Sequence, residues 1–204
     1  MTDTAIRAVL FDFGGVLAEE GFRNGLVKLA AEQGLDVETM PAQGMKAVYD
    51  SGFVVGRGSA GDFWKLMRER TGLRGDDDSL TKVILDGFIL RDWMMDVVKK
   101  LRADGYITGI LSDQTYWLDE LDEKYHFSRF FDHIYNSYYL GKGKQDPTVF
   151  ADVVADLKMQ PAMVLFIDDN AINVSRAQAK GLRVIQYLDR EDFTARLATV
   201  LGNK

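Results

Sequence analysis

The sequence contains no cysteine. That removes disulfides, thiolate metal sites and a cysteine nucleophile together. It also has no dense run of lysine and arginine, and its formal net charge is −6. Nucleic-acid binding needs a concentrated basic surface, so no nucleic-acid partner is expected. A phosphorylated metabolite is not excluded, because one local cluster of cations can hold a phosphate. No apolar run approaches membrane-spanning length, and the stretch in MTDTAIRAVLFDF is too short for a signal peptide. The expectation is a cytoplasmic protein with no membrane partner. Internal repeats and low-complexity segments are missing as well. The two histidines, His126 and His133, fall in a helix-to-strand region and receive no role.

What is present is 204 residues with 47% hydrophobic content, enough for one large domain or a core with a modest insertion. Ala8 to Phe11 is a continuous apolar run ending in Asp12, which suits a strand buried on both faces. From Ala18 to about Phe88 the spacing turns helical, over Gly25 to Gln33, Met40 to Asp50 and Gly61 to Thr71. Arg74 to Ser79 reads as an acidic loop. Four or so helices without a clear strand make this segment a helical insert.

From Arg91 helix and strand alternate. Trp93 to Leu101 reads as a helix closed by Gly105. Tyr106 to Leu111 is a strand ending in Ser112 and Asp113. Tyr116 to Tyr125 is helical, and His133 to Tyr135 is a short strand. Asp146-Pro147 marks a helix start. Met163 to Ile167 is a buried strand ending in Asp168-Asp169, and Arg183 to Tyr187 is the last strand. The pattern predicts an α/β fold with a doubly wound parallel sheet, in which ligands sit beyond the carboxyl ends of the strands. Three strands would therefore deliver Asp12, Ser112 with Asp113, and Asp168 with Asp169 to one edge.

Carboxylates brought together repel unless a cation lies between them, and oxygen-only donors favour Mg²⁺. Ser112 offers a hydroxyl to a phosphoryl oxygen, and Lys144 or Lys142, in LGKGKQDP, the positive charge it needs. With Asp12 as nucleophile, such a set would form and hydrolyse an aspartyl-phosphate. Singly, each residue has a plainer role as turn former, helix cap or solvated lysine. Their order and spacing together carry the reading.

In that order the motifs resemble those of the haloacid dehalogenase superfamily, most of all its phosphatases with a helical cap inserted after the first strand of a Rossmann-like core. VLFDFGGVL resembles the first motif, GILSD the second, LGKGKQDPTVF the third and VLFIDDNAINVSRAQAKGL the fourth. The resemblance implies Asp12 as nucleophile and metal ligand and Ser112 as phosphate-binding hydroxyl. It places the lysine at Lys144, with Gln145 where a proline is usual. Asp169 would be the direct metal ligand, and Asp168 a second ligand or its support. Gly15 and Asp113 would join the phosphate site, and Asn173 stands where other members place a further acid. FDFGGVL and DHIYNSYYLGKGK are similar to the subgroup with glucose-1-phosphatase and to the phosphatase domain of soluble epoxide hydrolases. By this resemblance residues 1–17 and 89–204 form the core and 18–88 the cap, in a monomer or a homodimer.

One departure stands out. Typical phosphatases of the family carry a second aspartate where this chain has Gly14, and that residue protonates the leaving group. Glycine keeps the metal-binding carbonyl but not the proton shuttle, which is worth about 10²–10⁴-fold in rate. The enzyme would then prefer easy leaving groups, as in a sugar phosphate esterified at the anomeric carbon or an acyl phosphate, borrow an acid from Asp113, Glu19 or Glu20, or act as a binding or regulatory protein for phosphate compounds that turns over little. Metal-free dehalogenation is the alternative chemistry, and the Asp168-Asp169 pair argues against it. Cap residues would set specificity, with Tyr49, Phe53, Arg57 and Trp64 as candidates and Tyr116 and Trp117 after the second motif. Packing is the plainer role for Phe53 and Trp64.

Overall fold

The apolar run leading to Asp12 forms the centre of the sheet. In the computed structural model, which describes residues 5–202, Ala8–Phe11 is strand β1 and its four side chains are fully buried. Strand β2 (Ile107–Ser112) pairs on one side of it and β4 (Val164–Asp168) on the other. With β3 (His133–Asn136) and β5 (Arg183–Gln186) they make a five-stranded sheet in the order β3-β2-β1-β4-β5, every pair parallel. The chain leaves β1 first to one side and later returns to the other. That reversal opens a crevice at the carboxyl end of β1.

Helices α1 (Gly21–Gln33), α2 (Met40–Asp50), α3 (Ala60–Thr71) and α4 (Asp77–Asp86) lie between β1 and the second strand. Then come α5 (Asp92–Ala103), α6 (Trp117–Tyr125), the single turn α7 (Ser137–Leu140), α8 (Thr148–Asp156), α9 (Ala171–Ala179) and α10 (Arg190–Leu201). The period of two along β1 divides its side chains between two cores. Ala8 and Leu10 join a cluster with Val149 and Phe150 of α8 and Ala177 of α9. Val9 and Phe11 join another with Met94 and Val98 of α5, Leu121 of α6 and Phe193 of α10. Covering both faces is what a parallel sheet requires.

Two segments differ from the sequence-based expectation. The acidic stretch expected to be a loop up to Ser79 already contains the start of α4. Asp76 is its N-cap, accepting from Ser79 N at 2.9 Å, and Asp77 and Asp78 fill the first turn. Acids favoured by a helix N-terminus resemble a solvated loop in sequence. Helix α10 was not expected, because only Phe193 and Leu197 of it are buried and that stripe is too narrow to read. Gly105, at φ +88°, ends α5 as expected, with Tyr106 N donating to Leu101 O.

The helical insert is sewn to the sheet side by one aromatic knot. The Phe53 ring centroid lies 5.2 Å from Trp117, 5.4 Å from Tyr116 and 6.4 Å from Phe63. Polar stitches surround it: Ser137 Oγ donates to Val54 O at 2.7 Å and Arg57 Nη2 to Gly141 O at 3.3 Å. Among the described residues no helix is long and apolar enough to cross a membrane. Phe53→Ala removes a fully buried ring and is expected to cost about 3–5 kcal/mol. Urea unfolding measures it; a loss below about 1 kcal/mol would show that the knot does not hold the insert.

Candidate active site

The in-register strands end together, so their next residues converge. Asp12 N still donates to Ile167 O at 2.8 Å, prolonging β1 by one pairing. Its Oδ1 accepts from Phe13 N at 2.7 Å and from Ser112 Oγ at 2.6 Å. Its Oδ2 faces Lys144 Nζ at 2.8 Å, and the same ammonium lies 2.6 Å from Asp168 Oδ2. Lys144 is 2% exposed and Asp168 0%. Charges buried so deeply persist only when paired and hydrogen-bonded. Asp168 completes its shell with Asn170 N at 2.8 Å and Asn173 Nδ2 at 3.2 Å. Lys144 is placed from behind, its backbone N donating to Asp113 Oδ1 at 2.8 Å.

Burial raises the Asp12 pKa to about 7, with Asp168 adding to the rise and Lys144 and Ser112 opposing it. Burial disfavours the Lys144 charge too, but Asp12, Asp168 and Asp113 outweigh it and its pKa rises, so the ammonium persists. Burial and then Asp168 push Asp169 up. Asp12, Asp168 and Asp169 each bring an oxygen within 4.8 Å of the other two. Three carboxylates against one lysine leave negative charge uncompensated. An all-oxygen donor set of this kind fits a hard divalent cation such as Mg²⁺. Gly15 makes room for it. Its φ is +79°, and a Cβ there would stand 2.4 Å from Asp169 Oδ2, so the carboxylate rests on the bare backbone.

A cleft of about 320 Å³ opens above these groups, between the strand ends and the insert. Asp12, Gly14, Ser112, Asp113, Lys144 and Asp169 line its inner end, while Phe22, Met45, Val48 and Tyr49 come from α1 and α2. Tyr49 OH donates to Asp113 Oδ2 at 2.6 Å, linking insert to floor. Trp117 also lines the cleft, but Phe53, Arg57, Trp64 and Tyr116 do not. Phe53 and Trp64 are core, and Arg57 is a stitch to Gly141. Lys142 points elsewhere and pairs with Asp152 and Thr148.

The three carboxylates near Gly14 divide clearly. Glu19 is clamped by Arg91 at 2.8 and 2.9 Å, and that bond lowers its pKa. Asp113 has both oxygens engaged, by Tyr49 and by Lys144 N. Glu20 uses Oε2 to cap α1 at Arg23 N, 2.8 Å away, while Oε1 lies 3.3 Å from where a Cβ on Gly14 would stand. Burial raises its pKa. No sequence signal pointed to Arg91, Arg176 or Ile172. Arg91 Nη1 holds Gly15 O at 2.5 Å, and the other two line the cleft from α9.

The model of the haloacid dehalogenase-like hydrolases matches residues 6–181. The chain is 27% identical over 107 residues to flavin mononucleotide hydrolase 1 of Arabidopsis thaliana, covering 52% of this chain and 44% of that protein. It is 27% identical over 118 residues to bifunctional epoxide hydrolase 2 of Rattus norvegicus, covering 54% of this chain and 21% of that one. The chain thus spans less than half the length of these curated relatives. Among solved structures, a haloacid dehalogenase family enzyme of Bacteroides thetaiotaomicron, in complex with magnesium and inorganic phosphate, superposes with TM-score 0.73. It is 22% identical, over 94% of this chain and 99% of that one. L-2-haloacid dehalogenase of Xanthobacter autotrophicus, with chloropropionic acid covalently bound, superposes with TM-score 0.65 at 20% identity, over 95% of this chain and 83% of that one.

Gly15→Ala tests the cation cradle. The new methyl strikes the Asp169 carboxylate, and Mg²⁺ affinity by calorimetry is expected to fall about 10–100-fold while the circular dichroism spectrum stays native. Unchanged affinity would remove Asp169 from the cation site.

Proposed function

The chain belongs to the haloacid dehalogenase-like hydrolases, and on that premise we propose that it is a Mg²⁺-dependent phosphomonoesterase acting on a small phosphorylated metabolite through Asp12. The observation that carries this reading is the Asp12 carboxylate itself, held between Ser112 and Lys144 and beside Asp168 and Asp169. The magnesium and phosphate in the Bacteroides neighbour and the flavin mononucleotide hydrolase name of the Arabidopsis relative support it.

In this mechanism an Asp12 oxygen attacks phosphorus as the bond from phosphorus to the leaving oxygen breaks. Ser112 and Lys144, bonded to Asp12 in the free site, turn their donors to the phosphoryl oxygens. Asp12, Asp168, Asp169 and the Gly14 carbonyl would hold Mg²⁺, which when bound neutralises the charge of the carboxylates and of the transferring group. Glu20, with Oε1 over Gly14, gives its proton to the leaving alkoxide. It then takes one from the water that displaces Asp12 and releases phosphate. Residues 18–88 act as the cap that limits water.

Asp12→Asn is expected to abolish Mg²⁺-dependent phosphate release from p-nitrophenyl phosphate. Release that persists in the variant, or needs no metal, sinks the reading; consumption of 2-chloropropionate instead would favour the dehalogenase chemistry of the Xanthobacter neighbour. Glu20→Gln should lower kcat by about 10²–10⁴-fold on an alkyl phosphate, and far less on p-nitrophenyl phosphate, whose leaving group needs no proton. Equal losses on both substrates would deny Glu20 the proton transfer.

A further inference from the structure

We infer that the leaving group of the substrate is an apolar alcohol bearing a second anionic group at its far end, and not a sugar; this rests on the phosphomonoesterase reading above. The cleft has two unlike halves. The groups that would hold a phosphoryl group lie at the inner end with the amides Gln114 and Asn173, and the exposed amides Gln145 and Asn170 line the cleft as well. Gln114 Nε2 lies 3.7 Å from the Cβ point of Gly14, and Asn173 is bonded to Asp168. The wall opposite, where a leaving group would project, is made by Phe22, Met45, Val48 and Val54, continued by Phe88. Of its two polar members one is occupied, and the other keeps a single oxygen for the proton transfer proposed above. The Tyr49 hydroxyl is given to Asp113, and Glu20 caps α1 with one oxygen.

A polyhydroxylated leaving group pressed against this wall would exchange water for carbon at several hydroxyls. Each hydroxyl left unsatisfied costs about tenfold or more in affinity. An apolar body gains from the same wall. The mouth repeats the pattern. Met45 of α2 is 50% exposed and Ile172 of α9 61% exposed, and both line the cleft. One helical turn beyond Ile172, Arg176 lines it too, with Asn173 Oδ1 at 3.3 Å as a neutral partner. Among the described residues no carboxylate pairs with Arg176. Its guanidinium thus stands free for a ligand carboxylate or second phosphate.

The test matches leaving-group reactivity. Benzyl phosphate, 4-carboxybenzyl phosphate, 4-(phosphonooxymethyl)benzyl alcohol and glucose 6-phosphate are all primary alkyl phosphates, so differences in kcat/KM report the leaving group's body. A bisphosphate, 1,4-bis(phosphonooxymethyl)benzene, serves as the second-phosphate arm. Benzyl phosphate is expected to exceed glucose 6-phosphate at least about tenfold. One of the two anionic compounds is expected to exceed benzyl phosphate, and which one identifies the anion. Arg176→Gln is expected to reduce that last ratio about tenfold. Glucose 6-phosphate equal to or above benzyl phosphate overturns the inference and leaves the phosphatase reading standing, as does a ratio unmoved by Arg176→Gln. No phosphate released from any compound sinks the phosphatase reading. In that case binding of benzylphosphonate against the phosphonate analogue of glucose 6-phosphate, by calorimetry, decides the inference, and equal affinity overturns it.

Discussion

A single buried ammonium organises this molecule. Lys144 touches Asp12 and Asp168 at 2.8 and 2.6 Å with almost no exposure of its own. A lysine so buried needs its carboxylates, and they need it, because an uncompensated interior charge costs several kcal/mol on the order of the whole stability of a domain. The requirement reaches outward. The end of β1, the end of β4 and the loop before α8 must meet at one point, and Asp113 pins that loop through the Lys144 backbone. The same network leaves negative charge over, and that remainder suits a cation, which in the function we propose would in turn hold a phosphate.

Gly14 and Gly15 are adjacent but serve opposite ends. Gly15 has no side chain because the Asp169 carboxylate rests where one would be. Gly14 has none, and Glu20 reaches into the vacated volume from the start of α1. In the mechanism we propose, a carboxylate from six residues further along serves where the strand-end turn carries none. That carboxylate rides on the first residues of the insert, so the geometry of the cleft wall and the position of this acid are set together.

Much of this was legible from residue order. The β1 run, the four motifs and the order of helix and strand are local signals, and local periodicity follows from which faces must be buried. Helix α2 has the bounds its spacing predicts. The start of α4 and all of α10 were not legible, because Asp76 to Asp78 and a two-residue stripe carry too little apolar periodicity. Cleft-lining residues were read unevenly for the same reason. Tyr49 and Trp117 line it, whereas Phe53 and Trp64 turned inward, since a large ring beside other rings gains more from packing than from facing a ligand.

The sequence by itself determined a doubly wound sheet with its acids at the strand ends, because burying a parallel strand on both faces leaves a visible apolar run and an abrupt polar stop. It also narrowed the acids near Gly14 to three. Only the tertiary structure tells their surroundings apart: Arg91 neutralises Glu19 from 72 positions away, Tyr49 engages Asp113 from 64, and Glu20 keeps an oxygen free. Which carboxylate is already spent depends on partners brought together by folding, and that pairing has no period in the chain to read.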